Sequence, residues 1–188
     1  VVVLLGGAGC ADTTITPALR VGDRVLSESD LLDELAEWAG NLAATGAPEP
    51  IRGQVEASYP AEFVAAIIGF RIERELVLAE AERLGLEPTD ELIEQARLAF
   101  YGDPQAAQQV EAGWSPAYAQ RLMREIATEL ALEAELGPQG MLNWRTEAIA
   151  TTRIEVSSRF GRWDPQAQQV VPPAGPVEPA GLDPLAGM

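Results

Sequence analysis

The sequence predicts a mainly α-helical domain closed by a small β-sheet that pairs a strand near its start with a strand near its end. Three observations predict it. Apolar residues recur at helical spacing through most of residues 27–150. Each such run opens on a capping residue or proline and closes on glycine or proline. Segments that suit a strand lie at the two ends of this helical stretch.

In chain order, Ala18 to Leu26 reads as a short strand, or as a tight hairpin around Gly22-Asp23, with Val21 and Val25 on a shared face. Ser27-Glu28-Ser29-Asp30 matches a capping box, in which Ser27 accepts from the amide of Asp30 and Asp30 reaches back. Leu31, Leu35, Trp38 and Leu42 then mark one helix face, up to a stop near Gly40 to Thr45. Gly46, Pro48, Pro50, Gly53 and Pro60 punctuate a loop. Pro60 suits the first turn of a long helix to Leu84, with two apolar rows: Val64, Ile68, Ile72, Leu76 and Phe63, Ile67, Phe70, Val77. So wide a stripe predicts a central helix. Gly85 fits its C-cap.

Thr89 caps the next helix, with Leu92, Ile93, Ala96 and Phe100 expected to face inward, and Tyr101-Gly102-Asp103-Pro104 ends it. A short helix or turn follows to Gly113. Ser115-Pro116 opens another helix, whose face runs Ala119, Leu122, Met123, Ile126, Leu130, Ala134. Gly137-Pro138-Gln139-Gly140 predicts a break, and Met141 to Ala150 a last short helix. Thr152 to Ser157 alternates as a strand, expected to pair with the first one and to continue to Arg159-Trp163. Residues 164–188 hold six of the 14 prolines and are expected to be a disordered or extended tail whose removal is nearly silent. The domain is therefore placed at 18–163, behind a leader and linker at 1–17.

Composition excludes much chemistry. Hydrophobic residues make up 47% and charged residues 22%, a globular balance. The chain has no His, which removes imidazole bases, His nucleophile pairs and His metal sites. All 13 basic residues are Arg, so there is no Walker lysine, Schiff base or Ser-Lys dyad. A net charge of -16 argues against nucleic acid, which needs a basic surface. No small-molecule substrate and no cofactor are expected. Glu28, Asp30, Asp33, Glu34 and Glu37 lack metal-ligand spacing and read as a solvated helix face. Glu73 and Glu80 do not stand out from surface carboxylates, so no catalytic residue is assigned.

The opening Val1-Val2-Val3-Leu4-Leu5-Gly6-Gly7-Ala8-Gly9-Cys10 reads as the end of a signal peptide. Gly7-Ala8-Gly9-Cys10 resembles a bacterial lipobox, although that pattern usually has Leu where Gly7 stands. The resemblance implies lipidation at Cys10, with Ala11 to Thr16 as a tether and an extracytoplasmic chain held to the cell membrane.

Further resemblance lies in the domain. Val21-Gly22-Asp23-Arg24-Val25-Leu26-Ser27-Glu28-Ser29-Asp30-Leu31 resembles the opening of the SurA N-terminal chaperone domain. Ala79-Glu80-Ala81-Glu82-Arg83-Leu84-Gly85-Leu86-Glu87-Pro88-Thr89-Asp90-Glu91-Leu92 is similar to the join between the second and third helices of SurA, PrsA and trigger-factor-like chaperones. Tyr118 to Glu133 is similar to their fourth helix, and Ser158 to Asp164 to actinobacterial lipoproteins that carry this domain. The order and spacing cover about 18–163. Where SurA and PrsA commonly carry a parvulin prolyl-isomerase module, this chain has only Gly137 to Gly140.

The resemblance thus implies an ATP-independent holdase for unfolded or partly folded secreted polypeptides, without isomerase activity. Tyr101 and Trp114 fall in turn-like segments and are the candidate client-binding aromatics. The alternative is an envelope lipoprotein that uses the same helical module to hold one folded partner.

Overall fold

Gly22 makes the first turn. Its φ of +59° belongs to the left-handed region that glycine enters without a Cβ clash. The turn joins β1 (Pro17–Val21) to β2 (Arg24–Ser27) as an antiparallel hairpin, and the amide of Gly22 donates to the carbonyl of Arg153 at 2.9 Å. The structure is a computed structural model that describes residues 16–46 and 58–178.

Five helices follow among the described residues. They are α1 (Glu28–Ala44), α2 (Ala61–Leu84), α3 (Asp90–Tyr101), α4 (Pro104–Glu111) and α5 (Pro116–Thr151). Their starts use the expected caps. Ser27 Oγ accepts from the amide of Asp30 at 3.1 Å, Thr89 Oγ1 from Leu92 and Ser115 Oγ from Tyr118, each satisfying an amide that the helix leaves unpaired. Asp103 does the same for the amides of Gln105 and Ala106 at the start of α4. Gly85, at φ +68°, ends α2.

The strand β3 (Ile154–Val156) pairs antiparallel with β1, Val21 opposite Ile154 and Leu19 opposite Val156, so the sheet order is β2-β1-β3. The two strands that flank the helical stretch do meet. The hairpin, however, places Val25 opposite Arg20 and off the face of Val21, and Val25 is 45% exposed. The turn resets the period-two phase that a single strand would have kept.

The break expected at 137–140 is a single bent residue. Gly137 (φ +69°, ψ 166°) lies inside α5 in a region open essentially to glycine, and Pro138 follows it. A straight helix would hold residues 129 and 145 about 24 Å apart. Instead Arg145 binds Glu129 at 2.9 Å, and Leu132 and Met141 share an apolar cluster with Val77. The bend therefore turns α5 into two arms, the second being the short helix expected from Met141. On the first arm Leu132, not Ala134, is buried, because it faces that cluster.

The expected tail is corrected over its first part. A turn at 158–160 ends the strand region, then β4 (Arg162–Asp164) pairs antiparallel with β5 (Gln169–Val171). Phe160, Val170 and Val177 lie in the core with Leu19, Leu31, Ile68 and Ile72, and Val177 exchanges two backbone hydrogen bonds of 2.9 Å with Tyr59. The prolines here are punctuation. Pro165 sits in the turn between the strands, and Pro172 and Pro173 follow β5. Residues 179–188 lie outside the described residues.

The sheet, α1, α2 and the closing hairpin share one apolar cluster, and α3, α4 and the first arm of α5 share another. Arg71 of α2 joins them. Its Nε and Nη2 donate to Glu75 at 2.9 and 2.6 Å, and its Nη1 donates to Glu125 of α5 at 2.9 and 3.1 Å. Glu34 of α1 approaches Arg71 Nε at 3.9 Å. All four side chains are buried.

Truncation after Asp164 is therefore expected to lower the thermal midpoint markedly. It removes Val170 and Val177, and burying a valine contributes about 1.5–3 kcal/mol. A melt of the truncated chain that matches the full chain would show that the closing hairpin adds nothing.

Candidate functional site

Two helical stripes face each other across an open groove of about 600 Å³. On α3 the stripe is Asp90, Ile93, Glu94 and Arg97, spaced i, i+3, i+4, i+7. On α5 it is Pro116, Ala119, Gln120, Met123 and Arg124, with the same repeat. Glu111, the last residue of α4, and Ala112 after it close one end. The gap exists because Ala112, Pro116 and Ala119 are short where the helices would otherwise fill it. The floor is apolar, from Ile93, Ala119 and Met123, and the rim carries both signs of charge.

One contact closes an end of the groove. Arg97 of α3 pairs with Glu111 of α4, its Nε donating to Oε1 at 2.7 Å and its Nη2 to Oε2. This bidentate pairing holds the guanidinium above its ordinary pKa, chiefly through the hydrogen bond. Arg97 also lies 3.7 Å from Glu94.

The groove does not contain the two aromatics expected at the surface. Tyr101 is 9% exposed and Trp114 is 5% exposed; both lie in the cluster beneath it with Tyr118, Leu122 and Ala107. Trp114 stacks on Tyr118 at 4.9 Å and meets Trp38 edge-on at 4.9 Å. Burial, with Glu111 nearby, pushes the Tyr101 hydroxyl up to about 12. The reason for the correction is α4, which folds back along the end of α3 and covers Tyr101 with Ala107 and Val110. Phe100, expected inward, is the residue α4 leaves out. It is 39% exposed, stands edge-on to Tyr101 at 4.9 Å and continues the row Ile93, Arg97 at i+7.

The α4–α5 link is hung from α1. Asn41 Nδ2 donates to the carbonyl of Val110 at 2.6 Å, and the amide of Ser115 donates to Glu37 at 2.8 Å. A Cβ on Gly113 would come within 3.0 Å of the Asn41 backbone and closer to its amide nitrogen, so this approach needs glycine.

A second hollow of about 460 Å³ lies between α2 and the closing hairpin, where Ala65, Ala66 and Gly69 face Trp163, Val170 and Pro172. Among the described residues no three acidic or thiol side chains gather as a metal site, and no helix is long and apolar enough to cross a membrane. Cys10 lies outside the described residues.

No protein-family model, curated protein or solved structure matches this chain.

Sequence reasoning missed Glu34. Its place in the acidic run 28–37 predicts a solvated helix face, yet it is 2% exposed. The signal was its position: Glu34 lies between Leu31 and Leu35 in the apolar stripe of α1, as Arg71 lies between Ile68 and Ile72 in α2, and Glu125 between Leu122 and Ile126 in α5. Charges of opposite sign inside three apolar stripes point to one another.

The burial of Trp114 makes a distinct expectation. Trp114→Ala should cost about 3–5 kcal/mol in urea unfolding, as for other large core truncations, whereas Phe100→Ala should stay within ~0.5 kcal/mol. The reverse order would place Trp114 at the surface.

Proposed function

We propose that this chain is a membrane-anchored extracytoplasmic holdase, which reversibly buries apolar segments of non-native secreted polypeptides in the groove between α3 and α5. The observation that carries the reading is the groove itself, open and floored by Ile93, Ala119 and Met123; the exposed ring of Phe100 stands further along α3. Its volume of about 600 Å³ suits a few apolar side chains. An open apolar floor with a charged rim favours sequence-tolerant binding, because burial of apolar area is non-directional. The net charge of -16 keeps the loaded protein dispersed.

Anchoring is assigned to Cys10, where acyl chains would supply ~0.8 kcal/mol per buried methylene. Binding uses no ATP, metal or covalent step, and the chain carries no prolyl-isomerase activity. The order of elements, with strands from both ends paired beneath a helical body, fits the SurA N-terminal resemblance. The Gly137 bend stands where that family commonly carries its isomerase module.

Suppression of aggregation of two unrelated unfolded proteins tests the reading. The full chain is expected to protect both. Phe100→Ser combined with Ala112→Trp should reduce protection several-fold with an unchanged thermal midpoint, since both positions are exposed. Protection of neither protein would overturn the holdase reading in favour of an adaptor for one folded partner. Full protection by the double variant would move the binding surface away from this groove.

A further inference from the structure

We propose that Glu34 is a proton-binding site whose ionisation as pH rises loosens the junction of α1, α2 and α5. The geometry carries this. Arg71 gives its hydrogen bonds to Glu75 and Glu125, so Glu34 is left with an approach of 3.9 Å to Nε. Its Oε1 accepts from the Tyr118 hydroxyl at 3.2 Å, while its Oε2 has no hydrogen-bond partner. That bare oxygen is the one 3.9 Å from Arg71 Nε, so the desolvation cost of a buried carboxylate is offset only in part, and the neutral acid carries a smaller one.

The charge balance points the same way. Three carboxylates, Glu34, Glu75 and Glu125, and two guanidiniums, Arg71 and Arg74, are buried here. One proton on Glu34 makes these five neutral. Arg74 turns towards Glu129 at 3.5 Å, away from Glu34's deficit.

The groups facing Glu34 come from every element around it. From α2 come Arg71 and Glu75, and from α5 Tyr118, Arg121 and Glu125. From β2, Arg24 reaches Glu75 at 3.6 Å. On α1 itself, Asp30 is engaged in the capping box, Glu37 accepts from Ser115 and Asp33 is exposed. Burial raises the Glu34 carboxyl above its ordinary range. Arg71 and Arg121 oppose the rise, Glu125 adds to it, and the Tyr118 hydrogen bond opposes it. Burial, then Glu34 itself, pushes Tyr118 up, so its hydroxyl stays a donor.

The sign of the linkage follows. A carboxyl raised in the folded state binds its proton more tightly there than in the unfolded chain. Its stabilising contribution is full below the unfolded value and is lost as pH rises through the folded value. Since α1 also holds the α4–α5 link through Glu37 and Asn41, loosening this junction reaches the wall formed by Glu111 and Ala112.

A carbon-13 NMR titration of the glutamate carboxyls in the full chain, assigned through the backbone, tests the proposal. Thermal melts of the unaltered chain and of Glu34→Gln between about pH 5 and about pH 8 form the second arm. Glu34 is expected to titrate above the exposed glutamates, and the midpoint of the unaltered chain to fall relative to the variant as pH rises. Titration with or below the exposed glutamates, or parallel pH profiles, would overturn it. If the variant fails to fold, the titration of the unaltered chain decides alone.

Discussion

One buried guanidinium sets the arrangement of this molecule. Arg71 stands at the middle of the central helix and binds a carboxylate from its own helix and one from α5, with a third from α1 close by. Apolar packing alone would let α1, α2 and α5 slide, since burial has no direction. A planar guanidinium whose nitrogens donate four hydrogen bonds to two carboxylates restricts both register and angle. The same cluster replaced by well-fitted apolar side chains would hold the helices as well or better, so what it supplies is geometry.

The groove inherits that geometry. Glu125, which Arg71 holds, lies two residues from Met123, so the two project from opposite sides of α5 at about 100° per residue. Pinning one side to α2 presents Ala119, Met123 and Arg124 to α3 on the other. The aromatic layer of Trp38, Trp114 and Tyr118 fills the space beneath, and its edge-on and stacked contacts leave these rings little freedom. The groove is thus a surface left between rigid parts, closed at one end by Arg97 and Glu111.

Much of the fold was legible, because its signals are local. Ser27, Thr89 and Ser115 cap where their side chains can reach the next amides, and Gly85 and Gly137 take conformations few other residues accept. The pairing of the end strands followed from a simpler need, that isolated strands leave backbone groups unpaired. What failed was long-range. Three-residue strands such as β5 are too short to show a period, so Val170 and Val177 looked like tail. Phe100 and Tyr101 exchanged roles because α4, a helix with little pattern of its own, covers one and not the other. Glu34 looked like one more surface acid because its partner lies 37 positions away, in another helix.

The most direct test of this account is the stability of Arg71→Met in the full chain, measured by urea unfolding at neutral pH. Removing the guanidinium leaves Glu125 buried without its partner and Glu75 with only Arg24 at 3.6 Å, and the account predicts a loss of about 3–5 kcal/mol. A loss below ~1 kcal/mol would contradict it, and would mean that apolar packing alone sets the three helices.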